Sequence, residues 1–329
     1  QLRPPYRMAT FDWFRYILGG TMFGIGMTLA SGCANKTLVR IGGGNIKSVV
    51  VLIIASYFAY LMQFTAFYEN VFYYWINPMA IDLTLQDLPH QDMGSIVSAT
   101  TGIASAIELR LIIGLMIATG LLIYIFKSKD FRGNFDHILG GLVVGLVIVG
   151  AWYVTGGPMG MEWLEEVEMM DEPPFGVGVQ AFSFTNPMAD AANLVANMGQ
   201  MKFVTFGFMA LAGVIVGSFL YSLLFRKFRL EWFNSFGDFV NHAIGAALMG
   251  IGGILALGCT IGQGITGVST LAVGSFMAFF SLIFGSALTM KIQYYKMVYE
   301  KDATFVRASI TALVDMRLLP GGMRMLDAV

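Results

Sequence analysis

The chain is built from long apolar runs separated by short polar connectors. Five uninterrupted stretches, 47–68, 109–126, 138–155, 203–225 and 268–290, reach the length a helix needs to cross hydrocarbon about 30 Å thick. Two more, 16–34 and 239–258, are long enough but rich in glycine. The segments 94–107 and 186–198 are too polar or too short to span and read as re-entrant or interfacial helices, with Asn186 as the expected N-cap before Pro187. The aromatic run from Val71 to Trp75 suits a membrane interface, and an amphipathic helix is expected around 303–315. The pattern therefore predicts an all-α polytopic integral membrane protein, one domain over 1–329 with seven crossings.

Composition supports the same class. A chain of 329 residues that is 56% hydrophobic and only 12% charged cannot bury that apolar surface in one soluble core, so lipid must be its solvent. The net charge of -1, without a basic stripe interleaved with aromatics, gives no reason to expect nucleic acid. The two cysteines lack zinc spacing and are too few for a disulfide framework. No cofactor or metal is implied. The chain starts at Gln rather than Met, which leaves room for an earlier helix or signal.

Shifting the sequence by 226 positions lays Gly24–Cys33 (GIGMTLASGC) on Gly250–Cys259 (GIGGILALGC), with seven identities in ten. Asp12 then falls on Asp238 and Gly19 on Gly245, which points to an internal duplication of about 12–68 onto 238–290. Lys and Arg collect in cytoplasmic loops. Lys127, Lys129 and Arg132, with Arg226, Lys227 and Arg229, are therefore expected inside, and the acidic loops around Asp82–Asp92 and Glu162–Glu172 outside. The two cysteine-bearing copies then enter from opposite faces, an inverted repeat with the first visible residues outside and the C-terminus cytoplasmic. Arg3, Arg7 and Arg15 run against this orientation.

The stretch ALGCTIGQGITGVST (Ala256–Thr270) interrupts apolar sequence with glycines, hydroxyls and a thiol. Irregular backbone at membrane depth is tolerated only where protein or a wet cavity satisfies it. Glycines at 258, 262, 264 and 267 let the backbone approach a bound group, and a helix starting near 267–270 would aim its N-terminus at an anion. A single cysteine is more often a packing residue. Two superposed in inverted copies favour a shared thiol-lined pathway. Gly262–Gly267 also fits G-x-G-x-x-G, but no βαβ unit surrounds it. Asn77-Pro-Met-Ala80 recurs as Asn186-Pro-Met-Ala189, yet both copies fall outside, unlike paired channel half-helices. His90, His137 and His242 lie far apart and read as interfacial or capping residues, and no nucleophile, base and oxyanion set suggests an enzyme.

At these residues the sequence resembles the YeeE/YedE family of sulfur-transport membrane proteins, through Gly258–Thr270, the following Ala272-Val-Gly-Ser275 and the duplicated Gly-x-Gly-x-x-Leu-x-x-Gly-Cys pattern. The resemblance implies an hourglass-like helical bundle whose two cysteine-bearing re-entrant loops meet near the midplane. It also implies thiols that pass thiosulfate along by hydrogen bonds to its terminal sulfur. Carried onto this chain, Cys33 and Cys259 are the paired thiols, and Gly32, Lys36, Gly258, Gly262, Gln263 and Gly264 complete the candidate substrate site. The first loop departs from the second, reading Cys33-Ala-Asn-Lys36 against Cys259-Thr-Ile-Gly262, and a further cysteine found in some transporters has no counterpart here.

The expected function is uptake of a small sulfur-containing anion, thiosulfate foremost, across a bacterial inner membrane. Without a P-loop in the chain, the driving force must come from a gradient, a partner or downstream consumption. A non-transporting scaffold subunit of a larger membrane assembly is the alternative, and a persulfide-forming sulfur carrier a third. Lipid surrounds the protein on each reading; a partner protein is left open.

Overall fold

The computed structural model describes residues 5–102, 105–300 and 303–326. Among them the elements run β1 (Thr10–Phe11), α1 (Trp13–Leu29), α2 (Ala34–Gly42), α3 (Ile46–Phe64), β2 (Ile81–Asp82), α4 (Met93–Thr101), α5 (Ala106–Lys127), α6 (Phe135–Gly156) and α7 (Pro158–Glu168). They continue with α8 (Thr185–Ala196), α9 (Phe206–Leu224), α10 (Phe236–Leu255), α11 (Val273–Tyr299) and α12 (Phe305–Asp315). Seven helical stretches are long and apolar enough to cross a membrane: α1 with α2, then α3, α5, α6, α9, α10 and α11. The protein is an all-α polytopic membrane protein. Its two short strands pair antiparallel, Thr10 opposite Asp82.

The element boundaries differ from the sequence pattern for identifiable reasons. α1 stops at Leu29 rather than 34 because Ser31 turns the chain through a left-handed conformation (φ 62°), and α10 stops at Leu255 because Leu257 does the same (φ 57°). α4 ends at Thr101, where Gly102 takes φ 64°. α8 begins at Thr185, with Phe184 rather than Asn186 at the N-cap. Pro187 still lies in the first turn, where a missing N–H costs no intrahelical bond. α11 runs to Tyr299, beyond the expected 290, because Tyr295 packs with Ala303, Ala308 and Leu326, and its hydroxyl and Lys291 reach Asp315 of α12.

Small residues set the centre. A β-carbon at Gly19 would lie 2.8 Å from the Gly252 carbonyl oxygen and one at Gly252 would lie 2.7 Å from that of Gly19. Gly26 and Gly245 face each other the same way, at 2.6 Å in both directions. Partner numbers fall along α10 as they rise along α1, so the two helices are antiparallel and nearly in backbone contact, as small residues allow in membranes. Gly24 lies against α11 at Gly285, and Gly250 against α3 at Phe58. At the periphery α5 buries none of its residues and, beyond Glu108 and Arg110 near its start, is apolar on every side as far as Lys127, a lipid-facing helix. It is tied to α4 by Arg110 Nε on Asp92 at 2.7 Å.

Candidate functional site

Each cysteine stands at the start of a short helix. Cys33 is the N-cap of α2, and its carbonyl accepts from Thr37 N at 2.9 Å. Cys259 opens a run that is helical over 260–270, wide-wound through Gly262–Gly267 and tight over Val268–Thr270, with Gln263 N on the Cys259 carbonyl at 2.8 Å. The expected irregular glycine loop is therefore mostly helix, and the turn that launches it is at Leu257, two residues before the thiol. The helix end facing the thiol is the 260–270 segment itself rather than one starting at 267–270.

Cys259 is fully buried, and its Sγ accepts from Gly262 N and from Phe184 N, each at 3.4 Å. Phe184 is the N-cap of α8, so the starts of two helices meet at one sulfur. Half-buried Cys33 packs against the same cluster, with Met27, Phe182, Phe184 and Ile261. Helix starts carry partial positive charge and free N–H groups, a setting that favours an anion or a soft acceptor without a buried cation. With both N–H donors directed at the sulfur, the Cys259 S–H proton is what the thiol has left to offer. The buried hydroxyls of Thr185 and Thr260 find no hydrogen-bond partner among the described residues, which leaves them free to serve a guest.

One side of this site is closed by Tyr6, on the turn Pro5–Arg7. A β-carbon on Gly262 would lie 2.6 Å from Ser183 Oγ and 3.4 Å from the Tyr6 hydroxyl. Burial pushes the Tyr6 phenol well up, and Cys259 adds to the shift. Tyr6, Ser183 and Asp190 share a cavity of about 80 Å³. Asp190 accepts from Thr205 Oγ1 at 2.9 Å, and burial raises its pKa to about 6 against that bond.

The remaining expected site residues fall in several places. Gly258 is buried beside Cys259. Gln263 is fully buried and braces the helix start by donating from Nε2 to the Ala256 carbonyl. Gly264 faces α11, its missing β-carbon 2.7 Å from the Phe279 ring. Gly32 lies under the aliphatic stem of Lys36, which is exposed and forms no ion pair among the described residues. His242 bonds the Asp238 carbonyl at 2.7 Å, and no three His, Cys, Asp or Glu gather as metal ligands among the described residues. Sequence reasoning missed Tyr6, Ser183, Phe184 and Asp190. A signal existed for Phe184 alone, the Thr-Asn-Pro helix start after it.

A family model described as sulphur transport matches residues 2–288. The chain belongs to the sulphur-transport family. Within that family it is 24% identical over 273 residues to the thiosulfate transporter TsuA of Escherichia coli (strain K12), covering 79% of this chain and 69% of that one. It is 25% identical over 274 residues to the thiosulfate transporter TsuA of Spirochaeta thermophila, covering 82% and 74%. The apolar helices and the family together make this a membrane protein for transport of a sulfur-containing anion.

Proposed function

We propose that the protein takes up thiosulfate past the Cys259 and Cys33 thiols. The observation that carries the reading is the Cys259 sulfur, fully buried where the helix starts at Phe184 and 260 meet, beside unpartnered hydroxyls and a cavity closed by Tyr6. A thiol here donates S–H to the terminal sulfur of the ion, while the helix ends offset the charge of its oxygens. Cys33, in the same cluster, receives it next. Transfer by hydrogen bonds needs no redox partner, unlike a persulfide relay.

An inverted duplication of 12–68 and 238–290 accounts for the symmetry of the centre. The pair Gly19 and Gly252 maps under the 226-residue shift onto Gly245 and Gly26, and the left-handed Ser31 maps onto Leu257. Two copies related by a two-fold axis in the membrane plane would produce this reciprocity, with the site at their interface. The proposed orientation puts Tyr6 outside and the basic ends of α5 and α9 in the cytoplasm of a bacterial inner membrane.

Uptake of labelled thiosulfate into vesicles, with sulfate as competitor, tests the reading. Wild-type protein should accumulate label and the double variant Cys33→Ser/Cys259→Ser should not. A double variant that transports normally would refute the thiol pathway, and a scaffold role would then lead.

A further inference from the structure

We propose that the cavity between Arg7, His90 and Arg110 is a separate capture site for a small divalent oxyanion, lying ahead of the thiols; this rests on the transport reading above. The cavity has a volume of about 720 Å³ and is lined by these three residues together with Thr84, Ser95 and Ser105. Its charges do not balance. Asp92 is wholly buried and engaged, accepting from Ser95 N at 3.0 Å, Ser95 Oγ at 2.8 Å and Arg110 Nε at 2.7 Å. Arg110 is thus neutralised within the protein. Arg7 is not: among the described residues no carboxylate lies within ion-pair reach of it, and its buried Nε has no hydrogen-bond partner. Burial and the neighbouring Arg110 cation both push the Arg7 pKa down, with Asp92 a lesser opposing influence. A half-buried guanidinium held in that setting is stabilised by an anion that takes its N–H groups in a fork, as an oxyanion does.

The position is built rather than loose. His90 Nδ1–H donates to the Arg7 carbonyl at 3.1 Å, and β1 and β2 pin the chain just beyond it. The same turn carries Tyr6, which lines the cavity it shares with Ser183 and Asp190, so consecutive residues of one turn line the two cavities. On this proposal an ion held by its oxygens at Arg7 moves on to the thiols past the neighbouring Tyr6. Because the site reads oxygens and charge, sulfate should occupy it as well as thiosulfate, and selection for sulfur falls to the thiols.

Titration calorimetry of the purified protein in lipid-free non-ionic detergent, with sodium sulfate and with sodium thiosulfate, tests this directly. Wild type should bind both, and Arg7→Gln should weaken both about tenfold, the typical loss for one charge-assisted hydrogen-bonding group. In vesicles Arg7→Gln should raise the half-saturating thiosulfate concentration about tenfold, a defect overcome by more thiosulfate, and Arg7→Lys should recover part of it. His90→Ala, which keeps the cation but frees the turn, should weaken sulfate binding several-fold, and serves if Arg7→Gln folds poorly. Cys259→Ser should bind sulfate like wild type while losing uptake, which separates failure of the thiol reading from failure of this one. Unchanged sulfate affinity in Arg7→Gln, or in His90→Ala where Arg7→Gln does not fold, overturns the proposal. So does sulfate affinity that is abolished when anionic lipid is added back to the detergent, the mark of a headgroup site.

Discussion

Replacing Cys259 separates two jobs that the sulfur holds at once. Its Sγ caps the Gly262 and Phe184 amides, and its S–H is the proposed donor to thiosulfate. Cys259→Ala removes a fully buried atom and leaves two buried N–H groups unpaired. The void alone costs about 1 kcal/mol, on the scale of a deleted methylene. An unpaired buried donor costs about 1–3 kcal/mol, reduced here because 3.4 Å contacts to sulfur are weak bonds. With each weak donor at the low end, about 1 kcal/mol, the two donors and the void together come to about 3 kcal/mol. Cys259→Ser keeps an acceptor at an N-cap position where serine is among the preferred residues, so it should lose less than about 1 kcal/mol.

Thermal unfolding in detergent should therefore rank wild type close to Cys259→Ser and both well above Cys259→Ala. Uptake should be lost in both variants, since a hydroxyl is a poorer partner for a soft sulfur atom. Equal melting temperatures for the two variants would show that the sulfur caps nothing. Wild-type uptake by Cys259→Ser would remove the thiol from the mechanism even with the capping intact.

Gly264→Val should lower folded yield together with uptake, because its β-carbon meets the Phe279 ring, whereas Gly262→Ala should fold and transport poorly by crowding Ser183; size-exclusion profiles beside uptake rates distinguish them. Asp190, with a folded pKa of about 6 against 3.8 unfolded, binds its proton more tightly when folded, so its stabilising contribution is complete below pH 4 and is lost as pH rises through 6. Asp190→Asn should thus match wild type in melting temperature at pH 4 and exceed it at pH 8, by about 2–3 kcal/mol for a shift of about two units. An unchanged gap across that range contradicts the burial argument. Single cysteines placed at Asp12 and Asp238 in a background without native cysteines should label from opposite faces with an impermeant reagent, and same-side labelling overturns the inverted repeat.

The legible part of this protein is what the solvent imposes. Lipid demands long apolar helices with satisfied backbones, and so all seven crossings could be seen before any packing was known, five as uninterrupted hydrophobic runs and two as glycine-rich ones. Two helices can pack as closely as α1 and α10 only through glycine, which is why Gly19, Gly26, Gly245 and Gly252 stand out in the sequence pattern. Hidden from a linear reading were the contacts that cross between distant segments. Residues 260–270 look like a loop because glycines have low helix propensity. They are helical because Gln263 braces them to Ala256 and Thr266 Oγ1 donates to the Phe182 carbonyl at 2.7 Å, tertiary bonds that outweigh local preference. Tyr6 had no local signal at all. Its place beside Cys259 follows from the pairing of β1 with β2, two residues each, which brings the start of the chain across the site. Arg3, Arg7 and Arg15 run against the charge-based orientation. On the proposed capture role Arg7 has a reason to lie outside despite that bias, whereas Arg15 is engaged by the Leu255 and Ile254 carbonyls and stays an exception to it.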